Sequence, residues 1–252
     1  MKDKNINRHH IIDLLRGLLF ISVVIYHILF DLVYMFGANL PWFSSGGGKA
    51  LQIVGAGGLI LISGMSSNFS RSNIKRGIKV FMYGMALTVG TLVLEAFGIE
   101  LFIWFGVLHL IGVSGIVVGS LEDKFLSRIP PAIGAAVSVA LFAFTYGVSD
   151  GFVGLFGVPL VKLPTYLYSH PGLEWLGFVT RNFSSSDFFP IFPNLFLFLA
   201  GYFLWRAIKL PDKILSAKFA PVNFVGRHTL VIYLVHQPVI YGILWVVFLC
   251  IN

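Results

Sequence analysis

The chain has 252 residues, of which 57% are hydrophobic and only 12% charged, and its mean hydropathy is +0.86. A soluble domain carries about a quarter charged residues, so this composition excludes one and indicates a polytopic membrane protein. The net charge of +7 is no nucleic-acid signature, because the basic residues are scattered between apolar stretches, and the lone Cys250 excludes an intramolecular disulfide and a thiolate metal cluster.

The first apolar segment, 11–36, is too long for a cleavable signal, carries Asp13 and Arg16, and lacks a small-residue cleavage site, so it is expected to remain as a span. Further segments follow at 49–68, 77–97, 101–119, 131–149, 188–208 and 226–250, each near the ~20 residues that a span needs. Residues 150–187 are more polar and aromatic. They read as a long outer loop with one or two re-entrant or interfacial helices, around 151–159 and 172–180.

Positive charge orients these segments. With the N-terminus inside, Lys2, Lys4, Arg8, Arg71, Lys75, Arg76, Lys79, Lys124, Arg128, Arg206, Lys209, Lys213 and Lys218 fall on the cytoplasmic side, with Arg16 and Arg227 at the cytoplasmic ends of their spans. Lys49, Lys162 and Arg181 remain outside. The expected architecture is an all-α transmembrane bundle of about seven spans, N-terminus inside and C-terminus outside, forming a single domain over 1–252 with no internal repeat. Gly55–Gly58 with Gly64, the 84–91 stretch, and Gly112 with Gly115 are expected to let helices approach closely.

Charge within a membrane segment is costly and is usually functional. On a helix at about 100° per residue, Arg16 and His27 lie ~20° apart around the axis, and Asp13 and Asp31 each lie within roughly 40° of His27. The four groups form one stripe ~27 Å long. Asp31, one turn beyond His27, is placed to orient its ring and raise its basicity, while Arg16 offers a fixed positive charge for a phosphate, carboxylate or oxyanion.

Elsewhere, His109 falls near the middle of the fourth span. Glu95 and Glu100 bracket an outer turn, where they line a vestibule or are simply solvated. The last span opens with GRHTLVIYLVHQP. There His228 lies near the inner interface, His236 is about 12 Å deeper, Tyr233 shares the His236 face, and Pro238 frees a backbone carbonyl. These two readings stay open for the segment: a Pro-kinked helix with a structural histidine, or part of a site. The basic loop SRSNIKRGIK, with Arg71, Lys75 and Arg76, is a topology signal in contact with headgroups and equally a docking patch for a phosphorylated cosubstrate. No phosphate-binding glycine loop, metal-ligand set or GxSxG nucleophile is present in the sequence.

Five segments, IIDLLRGLLFISVVIYHILFDL, LILISGMSSNFSR, FGVLHLIG, DFFPIFPNLFLFLAGYFLWR and GRHTLVIYLVHQP, together resemble the small bacterial membrane proteins of the heparan-α-glucosaminide N-acetyltransferase catalytic-domain group. The resemblance covers nearly the whole chain except 150–186, and the spacing of Arg16 and His27 is also similar to that of the membrane acyltransferase-3 group. It implies acyl transfer from a cytoplasmic acetyl-CoA or other acyl-CoA to a sugar or other acceptor at the outer face, in the bacterial cytoplasmic membrane; no metal is expected, because carboxylates and histidines are not clustered by sequence spacing. By match to the motif, Arg16 and His27 form the core pair with Asp31 as partner. His109, Arg227, His228 and His236 match recurring segments and join Arg71, Lys75 and Arg76 as candidates for binding substrate or acyl-CoA. The lysosomal members have a histidine in the loop after the first span, whereas GANLPWFSSGGGK has none, so His27 takes that role or the mechanism differs.

The expected partners are membrane lipids, acyl-CoA and a glycan acceptor, with a homo-oligomer compatible and no nucleic acid. His27 is expected as general base on the acceptor, a covalent acyl-histidine relay being the other route, with Arg16 holding the donor or steadying the oxyanion. A rival reading takes the same stripe as the proton relay of a transporter or of a lipid-handling protein.

Overall fold

The computed structural model describes residues 10–98 and 101–251; Lys2, Lys4, Arg8 and Glu100 lie outside the described residues. The chain is mostly helical, at 72%. In order, the helices are α1 (His10–Phe30), α2 (Gly48–Gln52), α3 (Gly58–Ser67), α4 (Asn73–Ala96), α5 (Val107–Leu121), α6 (Pro131–Thr145), α7 (Ile191–Ala207), the short α8 (Asp212–Leu215) and α9 (Ala220–Ile251). Wider π-helical turns extend α1 through Asp31–Met35 and join Phe43–Gly47, α2, Ile53–Gly57 and α3 into one apolar run.

Local chemistry explains the ends. Ser72 caps α4 by accepting a hydrogen bond from the Lys75 N–H at 3.3 Å. Pro131 opens α6, where a missing N–H costs nothing. Pro238 sits inside α9, which continues through it, and it has no N–H to give to the Leu234 carbonyl.

Among the described residues, five helical runs are long and apolar enough to cross a membrane: His10–Met35, Phe43–Ser67, Asn73–Ala96, Pro131–Asp150 and Ala220–Cys250. Two shorter apolar helices, Val107–Leu121 and Ile191–Ala207, overlap the two other segments expected to span. Large apolar side chains are exposed along these helices, among them Leu18 and Ile25 on α1, Met82 and Val89 on α4, and Val235, Ile243 and Leu249 on α9. Lipid is the solvent in which such a surface is stable.

The chain forms two compact units, Met1–Ile62 with Leu210–Asn252, and Ser63–Lys209. In the first, α1 and α9 cross in backbone contact. A Cβ on Gly17 would run into the Val222 carbonyl, and one on Gly226 into the Asp13 carbonyl. Asn223, buried beside the crossing, donates to the His10 carbonyl at 2.7 Å and accepts from the Phe219 N–H at 2.7 Å. The two helices run parallel, since Asp13 lies by Gly226, Phe20 by Tyr233 and His236, and Phe36 by Tyr241 and Phe248.

In the second unit α4 and α5 run antiparallel, with Gly77 against Gly112 and Ile116 and Gly84 against the His109 ring. Gly64 meets the Phe198 carbonyl of α7, as its small size led one to expect, whereas nothing lies within 4 Å of a Cβ on Gly90 in the 84–91 stretch. A polar staple holds one end: Asn73 donates to Glu122 at 3.2 Å, Tyr202 donates to Glu122 at 3.4 Å, and Arg206 donates to the Tyr202 hydroxyl at 3.2 Å.

The region 150–187 departs from expectation. In place of re-entrant or interfacial helices it forms an antiparallel hairpin, β1 (Phe152–Leu155) and β2 (Val158–Lys162), followed by single 3-10 turns at Thr165–Tyr168 and Glu174–Leu176. Phe156 and Gly157 both have positive φ, +47° and +88°, the requirement of a two-residue hairpin turn whose twist matches the strands. Burial and the nearby Asp150 charge push the Tyr168 phenol up from its ordinary range, and its hydroxyl donates to the Val148 carbonyl.

Overpacking a close contact costs about 1–3 kcal/mol. Gly226→Ala is therefore expected to lower the thermal unfolding midpoint in detergent, whereas Gly242→Ala on the same helix, with nothing within 4 Å of the added carbon, is expected to leave it unchanged.

Candidate active site

The α1–α9 seam of the first unit carries two polar clusters. One lies near the starts of both helices. There Asp13, almost wholly buried, meets Arg16 through Nη1 at 3.4 Å and Arg227 through Nε at 3.4 Å, and Arg16 also donates to the Gly226 carbonyl at 3.3 Å. Among the described residues, two guanidinium groups thus share one carboxylate.

The second cluster lies eleven residues further along α1, ~16 Å by helical rise. The His27 ring packs against His236 of α9, with centroids 4.9 Å apart and planes at 65°. His236 also has Phe20 at 5.6 Å and Tyr233 at 5.1 Å between centroids. Its Nδ1 lies 2.6 Å from the Tyr233 carbonyl. A carbonyl only accepts, so that contact places the proton on Nδ1 and leaves Nε2 with the lone pair. That Nε2 is buried and has no hydrogen-bond partner among the described residues.

Asp31 is fully buried, and both of its oxygens accept from Gln237 Nε2, at 2.9 and 3.1 Å. The geometry differs here from the expectation that Asp31 orients His27. The helix is regular up to Phe30 and widens into a π turn from Asp31 onward, while the Asp31 carboxylate is held by Gln237 of α9. His27 has an aromatic neighbour where a carboxylate was expected, Tyr26 adding a second ring contact at 5.3 Å. Arg16 shares the stripe, but at ~16 Å along the axis its side chain cannot steady an oxyanion formed beside His27.

The other residues singled out from sequence divide in the same way. Arg227 joins the Asp13 cluster, while His228 is exposed, with Nδ1 against the Phe224 carbonyl at 2.9 Å. His109 is buried in the second unit, where both ring nitrogens are engaged: Nδ1 accepts from the Gly106 N–H at 3.1 Å and Nε2 faces the Thr88 hydroxyl at 3.4 Å. It closes the start of α5 and is stacked on Phe105. Arg76 donates to the Ser66 and Ser63 carbonyls at 3.1 and 3.4 Å, satisfying the end of α3. Arg71 and Lys75 are exposed, as is Glu95.

The sequence reading missed Gln237 as a partner, although it stands between His236 and Pro238 in the last span and a membrane-embedded amide needs one. It also missed Asp187, whose carboxylate accepts from the Val107 N–H at 3.1 Å at the start of α5. Among the described residues no group of three or more His, Cys, Asp or Glu side chains is placed to hold a metal ion.

No curated protein and no solved structure matches the chain significantly. A family model described as "Heparan-alpha-glucosaminide N-acetyltransferase, catalytic" matches residues 8–238, which takes in both polar clusters and the whole of the second unit. The chain therefore belongs to the heparan-α-glucosaminide N-acetyltransferase catalytic-domain family, a family of membrane transferases.

Proposed function

We propose that the protein moves an acetyl or other acyl group from a cytoplasmic acyl-CoA to a hydroxyl or amine of a sugar-like acceptor at the outer face of the bacterial cytoplasmic membrane. The observation that carries this reading is the His27–His236 pair: a half-buried and a buried imidazole in contact, the second with its tautomer set and its Nε2 without a hydrogen-bond partner among the described residues. An unpaired lone pair in a low-dielectric seam is disposed to accept the proton of an incoming O–H or N–H group. In the proposed step that proton passes to the imidazole pair, the acceptor oxygen or nitrogen bonds to the acyl carbon, the C–S bond breaks, and the thiolate takes up the proton. No covalent acyl-enzyme is required.

The Asp31–Gln237 contact acts in this scheme by fixing the register of α1 against α9 beside the histidines. Arg71 and Lys75, exposed and free of the helix-end role that occupies Arg76, supply positive charge for the phosphates of the donor. Arg16 and Arg227, both paired with Asp13, are further basic groups near the starts of α1 and α9.

We further infer seven spans with the N-terminus inside, working as a single functional domain. Helix directions support alternation: α1 and α9 are parallel, as are α3 and α7, where Asn68 donates to the Tyr202 carbonyl at 3.1 Å and Phe69 meets Trp205, while α4 and α5 are antiparallel. Parallel packing of the first and last spans requires an odd number of crossings. On the α1 side Gly17, Phe20 and Val23 lie between the two clusters, which favours the acyl-transfer reading over a proton relay along the stripe.

Loss of a general base lowers a rate by about 10²–10⁴-fold. Purified His27→Ala and His236→Ala proteins are expected to lose acetyl-CoA-dependent transfer by that factor with unchanged thermal stability; full activity in either would remove it from the chemistry. An exposed ion pair contributes ~0.2–1 kcal/mol, so Arg71→Ala and Lys75→Ala should each raise KM for acyl-CoA about 1.4- to 5-fold without changing kcat. Arg76→Ala, by contrast, is expected to show mainly as a lower unfolding midpoint, since it strips two helix-end carbonyls of their donor.

A further inference from the structure

The hairpin of the second unit is used by none of this chemistry, and its side chains are distributed in an unusual way. Leu155, Phe156, Val158, Leu160 and Val161 are each 57–67% exposed. Val158 pairs with Leu155 and Val161 with Val153, so these four share one face of the hairpin, and Leu160 is the extra residue at the irregular register. Polarity changes along the hairpin. Its charged residue, Lys162, pairs with Phe152 at the base, one residue beyond which Leu163 bonds back to Gly151, and Asp150 adjoins the same end. The tip is Leu155-Phe156-Gly157-Val158.

The position of the tip is fixed by a backbone bond. The Phe156 N–H donates to the Ala143 carbonyl at 3.1 Å, which lies in the last turn of α6. The hairpin thus folds back so that its tip, ~13 Å from its base by the strand rise over four residues, lies beside the last turn of α6. Ala143 belongs to the apolar run Pro131–Asp150, and its neighbours Leu141 and Phe144 are exposed on α6. The exposed tip therefore lies at the same depth as the side chains that α6 presents to lipid.

The open edge is suited to that depth. Unpaired strand edges do not survive in the hydrocarbon core but are tolerated at its boundary. Here Pro159 removes one donor from β2, and the irregular register between Val153 and Gly154 disrupts another stretch of the ladder. Tyr166 and Trp175, exposed in the turns that follow, are residue types that settle at the headgroup level.

We infer that the Phe152–Lys162 hairpin is an interfacial wedge, inserted tip-first into the phospholipid leaflet at which α6 ends, with Lys162 held at the headgroups. This goes beyond the acyl-transfer reading and does not depend on it.

The test uses the full chain with Cys250→Ser, Phe156→Cys labelled with an environment-sensitive fluorophore, and reconstitution in phosphatidylcholine vesicles. The label at 156 is expected to be quenched severalfold more by phosphatidylcholine spin-labelled near the top of its acyl chain than by aqueous iodide, and a label at Lys162→Cys is expected to show the reverse. Leu160→Cys provides a second site on the apolar part, expected to behave as position 156 does. Iodide quenching at 156 and 160 as strong as at 162, without lipid quenching, would overturn the wedge in favour of a solvent-facing loop. Disulfide-linked dimers formed by the unlabelled Phe156→Cys protein, with lipid quenching lost, would overturn it in favour of a second copy of the chain.

Discussion

The structure depends on the place where the α1 and α9 backbones touch. Gly17 and Gly226 leave no room for a Cβ, and Asn223 ties the start of α1 to the turn before α9. In a bilayer no hydrophobic force drives helices together, because lipid tails are as apolar as leucine; close approach and hydrogen bonds across the seam must do so. Once the crossing is set, the registers of both helices follow. Asp13 then reaches Arg227, His27 reaches His236, and Asp31 reaches Gln237.

That register sorts the costly groups of α1 by partner. Charge meets charge at Asp13, Arg16 and Arg227, and a carboxylate meets an amide at Asp31 and Gln237. Among the described residues, the two histidines receive each other, aromatic rings and one backbone carbonyl. A buried polar atom left unpaired costs free energy, which is tolerable where a substrate completes the set. His109 makes the comparison concrete: it is buried like His236, yet its ring nitrogens face a backbone N–H and a threonine hydroxyl, and nothing remains for a ligand. Two buried histidines in one chain thus differ in what their ring nitrogens meet.

Much of this was legible in the sequence, and the failures have identifiable causes. Apolar run lengths located the helices because a span needs a minimum length. The shared face of Arg16, His27 and Asp31 follows from helical periodicity alone. Periodicity is local, however, and it could not say that the partner of Asp31 comes from residue 237. It placed Arg16 and His27 on one stripe ~27 Å long, with ~16 Å of helix between the two, but could not name the partner each would meet. Arg76 looked like its neighbours Arg71 and Lys75 until the end of α3 claimed it. The hairpin was hidden because short apolar runs do not distinguish strand from helix, and its Phe-Gly turn is a weaker signal than Asn-Gly.

The central claim is that His27 and His236 act as one proton-accepting unit held by the α1–α9 register. A double-mutant cycle on the rate of acetyl transfer tests it most directly, comparing His27→Ala, His236→Ala and the double variant at saturating acetyl-CoA. Groups that act as a unit are strongly non-additive, so the double variant is predicted to be no slower than the slower single variant. If the two losses multiply instead, the histidines work independently and the account of the pair is wrong.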